Sequence, residues 1–263
     1  MIQLASLTQS VRLLASEVAA FIQQERKQFS TRFVEEKGLH NYVSYVDKQA
    51  EQILVNGLSN LLPEASFVVE EETRAPEATD WKWIVDPLDG TTNFIHGLPP
   101  FAVSIALVYK EEPVLGVIHE VSLNESFYAW QGGGAFLNGD PIRVSEARKV
   151  KDSLIATGFP YYDYERMKPF LQSLEYFMQH SHGMRRLGSA ATDLAYVACG
   201  RFEGFYEYGL SPWDVAAGAI LVTEAGGRVS DYQGGNNFIY GKEILASNTP
   251  IYVEFLGIIQ SIF

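Results

Sequence analysis

The sequence predicts a mixed α/β fold built as one large unit. Apolar residues with a helical period begin the chain, a strand-rich stretch follows, and strands alternate with helices beyond about residue 150. Hydrophobic residues make up 47% and charged residues 20%, as is typical of a globular protein with a sizeable core. We expect two halves, residues 1–150 and 151–263, that form one integrated unit.

The first part of the chain predicts two helices. Apolar residues from Leu4 to Phe21 recur at steps of three and four, which is one face of an amphipathic helix. A second helix is predicted from about Asp47 to Leu61, because an acid stands near its start and Pro63 follows its end.

Two short apolar runs then predict buried strands that end in acids. Residues 67–69 run into Glu70, and residues 83–85 run into Asp86. Further predicted strands are Ala102–Tyr109, Val114–Glu120, Ser126–Trp130, Leu154–Thr157 and Phe205–Glu207. Further predicted helices are Tyr164–Phe177, Ser189–Ala198 and Trp213–Ala225, the last two closed by glycines.

Charge and composition exclude several classes of partner. A net charge of −12 argues against a nucleic acid or an anionic membrane surface as partner, since both need clustered Lys and Arg. The N-terminus has no basic start, and no window is long and apolar enough to span a membrane, so we expect a cytoplasmic protein. The single cysteine, Cys199, excludes an internal disulfide and is predicted to be a core residue.

The residues that carry chemistry are acids at strand ends and helix starts. Asp86 and Asp89 directly follow the strand at 83–85. Pro87 favours an extended backbone at Asp86, and Gly90 permits a turn, so the two carboxylates can converge on one point. A buried strand that runs into two acids is costly without a counter-ion, which favours a cation site. The alternative is a surface turn, since Asp, Pro and Gly are the commonest turn formers.

Two more acids extend this set. If a helix begins after Gly90, its first backbone N–H groups form a binding site for an anion. The neighbouring carboxylates would repel that anion unless cations lie between them and it. Carboxylate oxygens together with waters and a phosphate suit Mg²⁺. Asp214 begins an apolar helix, and Glu70 is the first of three acids after a strand. Taken singly, Asp214 can be a favourable helix-dipole charge and Glu70 part of a solvated charge run; the whole set favours a metal site.

Two long motifs resemble the signatures of the inositol monophosphatase family. The first, WIVDPLDGTTNFIHG, spans residues 83–97, and the second, WDVAAG, spans 213–218 and is followed by EAGG at 224–227. Such long motifs are far more specific than a short pattern. Shorter similar segments are NYVSYVD at 41–47, FVVEE at 67–71 and RLGSAA at 186–191.

The resemblance implies a layered α/β/α/β/α sandwich of the inositol monophosphatase and fructose-1,6-bisphosphatase type, usually a homodimer. It also implies two to three Mg²⁺ ions between the two halves, and inhibition by lithium. The N-terminal half would carry most metal ligands, and the C-terminal half would carry Asp214 and substrate contacts. The implied metal ligands are Glu70, Asp86, the backbone carbonyl of Leu88, Asp89 and Asp214. Glu71 is an alternative to Glu70 in this set.

The same resemblance implies roles in catalysis and substrate binding. Glu70 and Thr91 would orient and deprotonate an attacking water activated by the metals, and Asp47 would support Thr91. The implied substrate-binding residues are Asp89, Gly90, Thr91, Ala190, Glu207 and Asp214.

Substrate identity is predicted from two features. The stretch TNF at 92–94 resembles the inositol monophosphatase branch, and Glu207 suits a neutral polyol hydroxyl, so myo-inositol monophosphate or a similar sugar phosphate is favoured. Histidinol phosphate, fructose 1,6-bisphosphate and 3′-phosphoadenosine 5′-phosphate are the alternatives. A different class of function is a protein-binding partner of the transcription or ribosome-assembly machinery. The complete set of metal ligands favours the enzyme, because a pure binding module has no need of them.

Overall fold

The computed structural model describes residues 2–30, 32, 34–38, 41–71, 79–160 and 164–263. Its helices are α1 (Leu4–Gln28), α2 (Tyr45–Leu61), α3 (Thr91–His96), α4 (Met167–His180), α5 (Ala190–Ala198), α6 (Pro212–Glu224) and α7 (Tyr252–Ile262). Its strands are β1 (Val34–Gly38), β2 (Asn41–Ser44), β3 (Ser66–Val69), β4 (Trp81–Asp89), β5 (Ala102–Tyr109), β6 (Glu112–Glu120), β7 (Glu125–Trp130), β8 (Gly134–Leu137), β9 (Asp140–Ile142), β10 (Leu154–Thr157), β11 (Gly183–Arg185), β12 (Gly204–Tyr208), β13 (Gly227–Ser230) and β14 (Glu243–Asn248).

The strands form two large sheets and one short hairpin. The seven-stranded sheet has the order β3-β4-β5-β6-β7-β8-β9, and the five-stranded sheet has the order β11-β10-β12-β14-β13. In the first sheet only β3 and β4 are parallel; in the second, β10 is parallel to both of its neighbours. Strands β1 and β2 form a separate antiparallel pair.

Helices and sheets alternate in five layers. Helices α1 and α2 pack on one face of the seven-stranded sheet, and α5 and α6 lie between the two sheets. Helices α4 and α7 cover the outer face of the five-stranded sheet. Three clusters of buried apolar side chains fill the spaces between these layers. This arrangement confirms the predicted α/β/α/β/α sandwich.

Side chains that alternate between the two faces of a strand allow the seven-stranded sheet to pack against a helical layer on each side. In β4, Trp83 and Val85 contribute to the cluster under α1 and α2, whereas Ile84 contributes to the cluster under α5 and α6. Successive side chains of a strand point to opposite faces, so a fully apolar strand is buried on both sides. Gly116 of β6 allows close approach of α6, because a Cβ atom there would lie 2.7 Å from the backbone oxygen of Ala217.

Several element boundaries differ from the sequence prediction. Helix α1 continues to Gln28 instead of ending at Phe21, and buried Ile22 lies in this extension. Helix α4 begins at Met167 instead of Tyr164. The Tyr164 backbone oxygen accepts a hydrogen bond from the Met167 N–H in a turn that precedes the helix. The prediction missed α7 and the short strands β1, β2, β8, β9, β11, β13 and β14. Short strands leave little pattern in the local sequence, because they are defined by hydrogen bonding to neighbouring strands.

No helix in the described part of the chain is both long and apolar enough to span a membrane. The single cysteine, Cys199, is partly buried rather than fully enclosed, and it packs against the cluster between the two sheets.

Candidate active site

The first motif forms an irregular strand end. Pairing of β4 with β5 shifts register between Asp86 and Asp89, so Pro87 and Leu88 form a bulge. Proline has no N–H to donate to a ladder and is tolerated at such a bulge. Within the bulge, the Leu88 N–H donates to Asp86 Oδ1 at 2.9 Å. The bulge therefore brings both carboxylates of the motif to the same end of the strand.

Gly90 and Asn93 connect this strand end to the second half of the chain. Gly90 has φ of +91°, and a Cβ atom there would lie 3.1 Å from Pro100 O and 3.2 Å from Gly188 O. Only glycine can adopt this positive φ and fit into the space beside these two oxygens without strain. Asn93 Nδ2 donates to Pro100 O and to Leu187 O, each at 2.8 Å. The 186–191 loop is thereby held against the first motif.

A buried hydrogen-bond chain leads from α2 to Thr91. Asp47 is 1% exposed, and its Oδ2 accepts bonds from Ser44 N at 2.9 Å and Ser44 Oγ at 2.7 Å. Ser44 also caps α2, in a capping box with Asp47. Thr91 Oγ1 lies 3.1 Å from Asp47 Oδ1 and 3.0 Å from Leu88 O. Burial raises the pKa of Asp47, and the hydrogen bonds from Ser44 and Thr91 oppose this shift.

Asp214 and Asp89 are each positioned by a helix N-terminus. The Ser211 N–H donates to Asp214 Oδ2 at 2.6 Å in a capping box, with Pro212 at the start of α6. Asp89 Oδ2 accepts a bond from Ser189 Oγ at 2.6 Å and one from the Ala191 N–H at 2.7 Å. These bonds fix both carboxylates where the two halves of the chain meet.

Asp86, Asp89 and Asp214 form one carboxylate cluster, with an oxygen of each within 4.8 Å of the others. Burial, assisted by the charges of Glu70, Asp89 and Asp214, raises the pKa of Asp86 well above its ordinary value. Burial raises the pKa of Asp89 to about 6 and also raises that of Asp214. Like charges this close and this desolvated are costly without a compensating cation. An oxygen-only donor set of this kind fits a hard divalent ion such as Mg²⁺.

Glu70 lies on the wall of a cavity beside this cluster. The cavity has a volume of about 580 Å³, and its lining includes Glu70, Asp89, Thr91 and Asp214. The lining includes Glu70 and does not include Glu71, so of the two candidate ligands Glu70 is the one that faces the cavity.

The same cavity is also lined by the predicted substrate-side residues. Ala190 and Glu207 line it together with Gly158, Phe159 and Arg186. The Arg186 guanidinium lies 5.1 Å from the centre of the Phe159 ring. Burial raises the pKa of Glu207 to about 8, the charge of Arg186 lowers it, and that of Asp89 raises it. The cavity lining thus combines acids suited to cations with other polar and apolar side chains.

Most sequence-predicted site residues line one cavity: Glu70, Asp89, Gly90, Thr91, Ala190, Glu207 and Asp214. Asp86 belongs to the carboxylate cluster, and Asp47 and the Leu88 carbonyl contact Thr91. The structure also adds residues that sequence reasoning missed. Asp193 of α5 is 1% exposed, and burial, with the charges of Glu207 and Asp89, raises its pKa well above the ordinary value. Ser189 and Ser44 support Asp89 and Asp47. Both serines stand just before a helix, so the sequence contained the signal for an N-cap residue. It contained no signal that each serine also bonds to an acid of the site.

The fold and the carboxylate cluster define a member of a known class: the chain belongs to the inositol monophosphatase family, whose model matches residues 3–261. It is 46% identical over 225 residues to an inositol-1-monophosphatase of Mesorhizobium japonicum, covering 85% of each chain. It is 44% identical over 232 residues to the Nus factor SuhB of Pseudomonas aeruginosa, covering 86% of each. The crystal structure of the extragenic suppressor protein suhB from Bartonella henselae matches with a TM-score of 0.91 and 40% identity, covering 97% of this chain and 98% of that one.

Proposed function

We propose that this chain is a Mg²⁺-dependent phosphatase that hydrolyses a small phosphate monoester, with myo-inositol monophosphate as its substrate. The observation that carries the proposal is the carboxylate cluster of Asp86, Asp89 and Asp214, of which Asp89 and Asp214 line a substrate-sized cavity. Membership of the inositol monophosphatase family supports the same reaction.

Two to three Mg²⁺ ions would be held by the predicted ligands. These are Glu70, Asp86, the Leu88 carbonyl, Asp89 and Asp214. Bound Mg²⁺ would neutralise charge on the phosphoryl oxygens and lower the pKa of a bound water. The family resemblance also predicts competition by lithium for one of these sites.

Thr91 and Glu70 would prepare the water that attacks phosphorus. Both neighbours of the Thr91 hydroxyl, Asp47 and the Leu88 carbonyl, are hydrogen-bond acceptors. The single hydroxyl proton therefore goes to one of them, and the Thr91 oxygen can accept a hydrogen bond from water. Glu70 would take the proton that the water loses. Hydrolysis forms a P–O bond to water, breaks the ester P–O bond and leaves a proton on the departing alcohol.

The cavity lining around Glu207 supports a polyol as the leaving group. Glu207 can hydrogen-bond a hydroxyl of the substrate, and Ala190 provides a small wall beside it. Gly90 and Thr91 line the cavity near the cluster, where the phosphate would lie. Histidinol phosphate, fructose 1,6-bisphosphate and 3′-phosphoadenosine 5′-phosphate remain the alternative substrates.

Phosphate release from these four esters, with Mg²⁺ or with EDTA, tests the proposal. We expect Mg²⁺-dependent release that is fastest with inositol 1-phosphate. The Asp89→Asn variant should lose activity by about 10²-fold or more, since the cluster loses a charged ligand. Asp140→Asn is the matched control, because Asp140 is an exposed acid outside the cavity, and it should retain wild-type activity. Release that EDTA leaves unchanged, or an active Asp89→Asn enzyme, would contradict the metal assignment.

A second candidate function is binding to a protein of the transcription or ribosome-assembly machinery. The observation that favours it is the similarity to relatives named Nus factor SuhB, such as the one from Pseudomonas aeruginosa. If none of the four esters releases phosphate, this second function becomes the leading one. The net charge of −12 supports a protein partner over a nucleic acid.

We further propose that the chain is a cytoplasmic homodimer and that its two halves, 1–150 and 151–263, act as one catalytic unit. The family resemblance supports the dimer. The contribution of acids from both halves to one cluster supports the single unit.

A further inference from the structure

Gly158 lies directly against the carboxylate of Glu207. It follows β10, whose last residue Thr157 is paired with Tyr206 of the parallel strand β12, so Gly158 stands next to Glu207 across the two strand ends. A Cβ atom built on Gly158 would lie 1.8 Å from Glu207 Oε1, 1.9 Å from Cδ and 2.1 Å from Oε2. All three atoms of the carboxylate occupy the space that any other residue would need.

The backbone of Gly158 gives no other reason for glycine. Its φ lies outside the left-handed region that favours glycine elsewhere in this chain. The preceding Thr157 is 1% exposed, and its hydroxyl donates to Tyr206 O at 2.7 Å, which holds the strand end in place. The atoms in the way are the end of a side chain and not backbone, so we expect a side chain at position 158 to displace the Glu207 carboxylate while the two strands keep their positions.

We propose that Gly158 is a specificity-determining position: by leaving room for the Glu207 carboxylate, it sets the direction from which that carboxylate meets a hydroxyl of the substrate. This inference rests on the proposed function, in which Glu207 contacts a polyol. Gly158 is a positioning residue, since it acts through Glu207. Both residues line the cavity that Asp89 and Asp214 also line.

A comparison of two esters in the Gly158→Ala variant tests this inference. One is the hydroxyl-bearing ester that the wild type hydrolyses fastest, and the other is p-nitrophenyl phosphate, which offers no hydroxyl to Glu207. We expect kcat/KM to fall about 10- to 100-fold for the first, because misplacement by about 1 Å costs this much, and to stay within about threefold for the second. Gly257→Ala is the matched control: Gly257 is exposed in α7, a Cβ atom there meets nothing within 4 Å, and both activities should be unchanged.

A double-mutant cycle separates action through Glu207 from general damage. In a Glu207→Ala background, Gly158→Ala should change kcat/KM for the hydroxyl-bearing ester less than twofold, because no carboxylate remains to be displaced. An equal loss in both backgrounds, or an equal loss for both esters, would overturn the inference.

The crystal structures of the wild type and of Gly158→Ala keep this test independent of the proposed function. If the wild type hydrolyses no ester, the proposed function fails. The inference that Gly158 positions Glu207 is then tested by the position of the Glu207 carboxylate alone. Displacement of the carboxylate by more than about 1 Å, with β10 and β12 unmoved, supports the inference. An unmoved carboxylate overturns it.

Discussion

The Thr91 hydroxyl shows how one functional group depends on residues from distant parts of the chain. Its acceptors are Asp47, in the first turn of α2, and the Leu88 carbonyl in the β4 bulge. Asp47 is itself held by the side chain and the backbone N–H of Ser44. A buried carboxylate that accepts several hydrogen bonds stays in a fixed orientation, so the Thr91 oxygen points its lone pairs in a defined direction.

At the residue scale, we predict that Thr91→Val lowers kcat by about 10²-fold or more, because it removes the hydroxyl that orients water. Thr91→Ser keeps that hydroxyl and should retain activity within about tenfold. Steady-state kinetics with the preferred ester measures both. Equal losses in the two variants would contradict the role of the hydroxyl, because only Thr91→Val removes it.

Helix α6 carries Asp214 and lies between the two sheets, so its position decides where the second motif meets the first. It approaches the seven-stranded sheet at Gly116, where a Cβ atom would lie 2.6 Å from Ile220 Cγ2 and 2.7 Å from Ala217 O. The Ser104 hydroxyl donates to the Trp213 backbone oxygen at 3.2 Å and adds a polar contact beside Asp214. Close packing thus places the N-terminus of α6 over the end of β4.

At the element scale, we predict that Gly116→Ala destabilises the protein by about 1–3 kcal/mol, because the backbone of α6 leaves no room for the added methyl group. Gly257→Ala, in exposed α7, should instead stabilise it by about 0.5–1 kcal/mol, since alanine loses less backbone entropy in a helix. Urea unfolding of the two variants and the wild type gives the change in the free energy of unfolding for each variant. A neutral Gly116→Ala variant would contradict the close approach of α6.

For the whole molecule, the dominant electrostatic feature is a group of buried acids in a chain of net charge −12. Burial raises the pKa of Asp89 from 3.8 to about 6, and it also raises those of Asp86 and Asp214. Without metal, an acid with a raised pKa in the folded state favours folding most below its unfolded pKa. That contribution is lost as the pH rises through the folded pKa.

At this scale we predict that the metal-free protein becomes less stable as the pH rises from about 4 to about 6, the range set by Asp89. Mg²⁺ binds the deprotonated acids, so its stabilising effect should be larger at pH 7.5 than at pH 5. Thermal unfolding with Mg²⁺ or EDTA at the two pH values measures this difference. Asp89→Asn should reduce it, and an equal Mg²⁺ effect at both pH values would contradict the assignment of these acids as ligands.

Much of the fold could be predicted from the sequence, because long apolar patterns are local. Strand β5 has the predicted limits, and α2 and α6 lie within a few residues of theirs. Helix α7 was missed although Tyr252, Phe255 and Ile259 have helical spacing. The three-residue strands β9 and β11 could not be predicted, since only their pairing with neighbouring strands defines them.

The sequence by itself determined the family and predicted the acids of the site, because the motifs that carry them are contiguous and specific. Tertiary structure alone decided how those acids are supported: Asp47 meets Thr91 44 residues away, and Ser189 meets Asp89 100 residues away. It also decided that Glu70 faces the cavity and that Gly158 adjoins Glu207. The physical reason is that these contacts join residues from different layers of the sandwich or from neighbouring strands of one sheet, and no local sequence pattern records a distance that arises only when the chain folds.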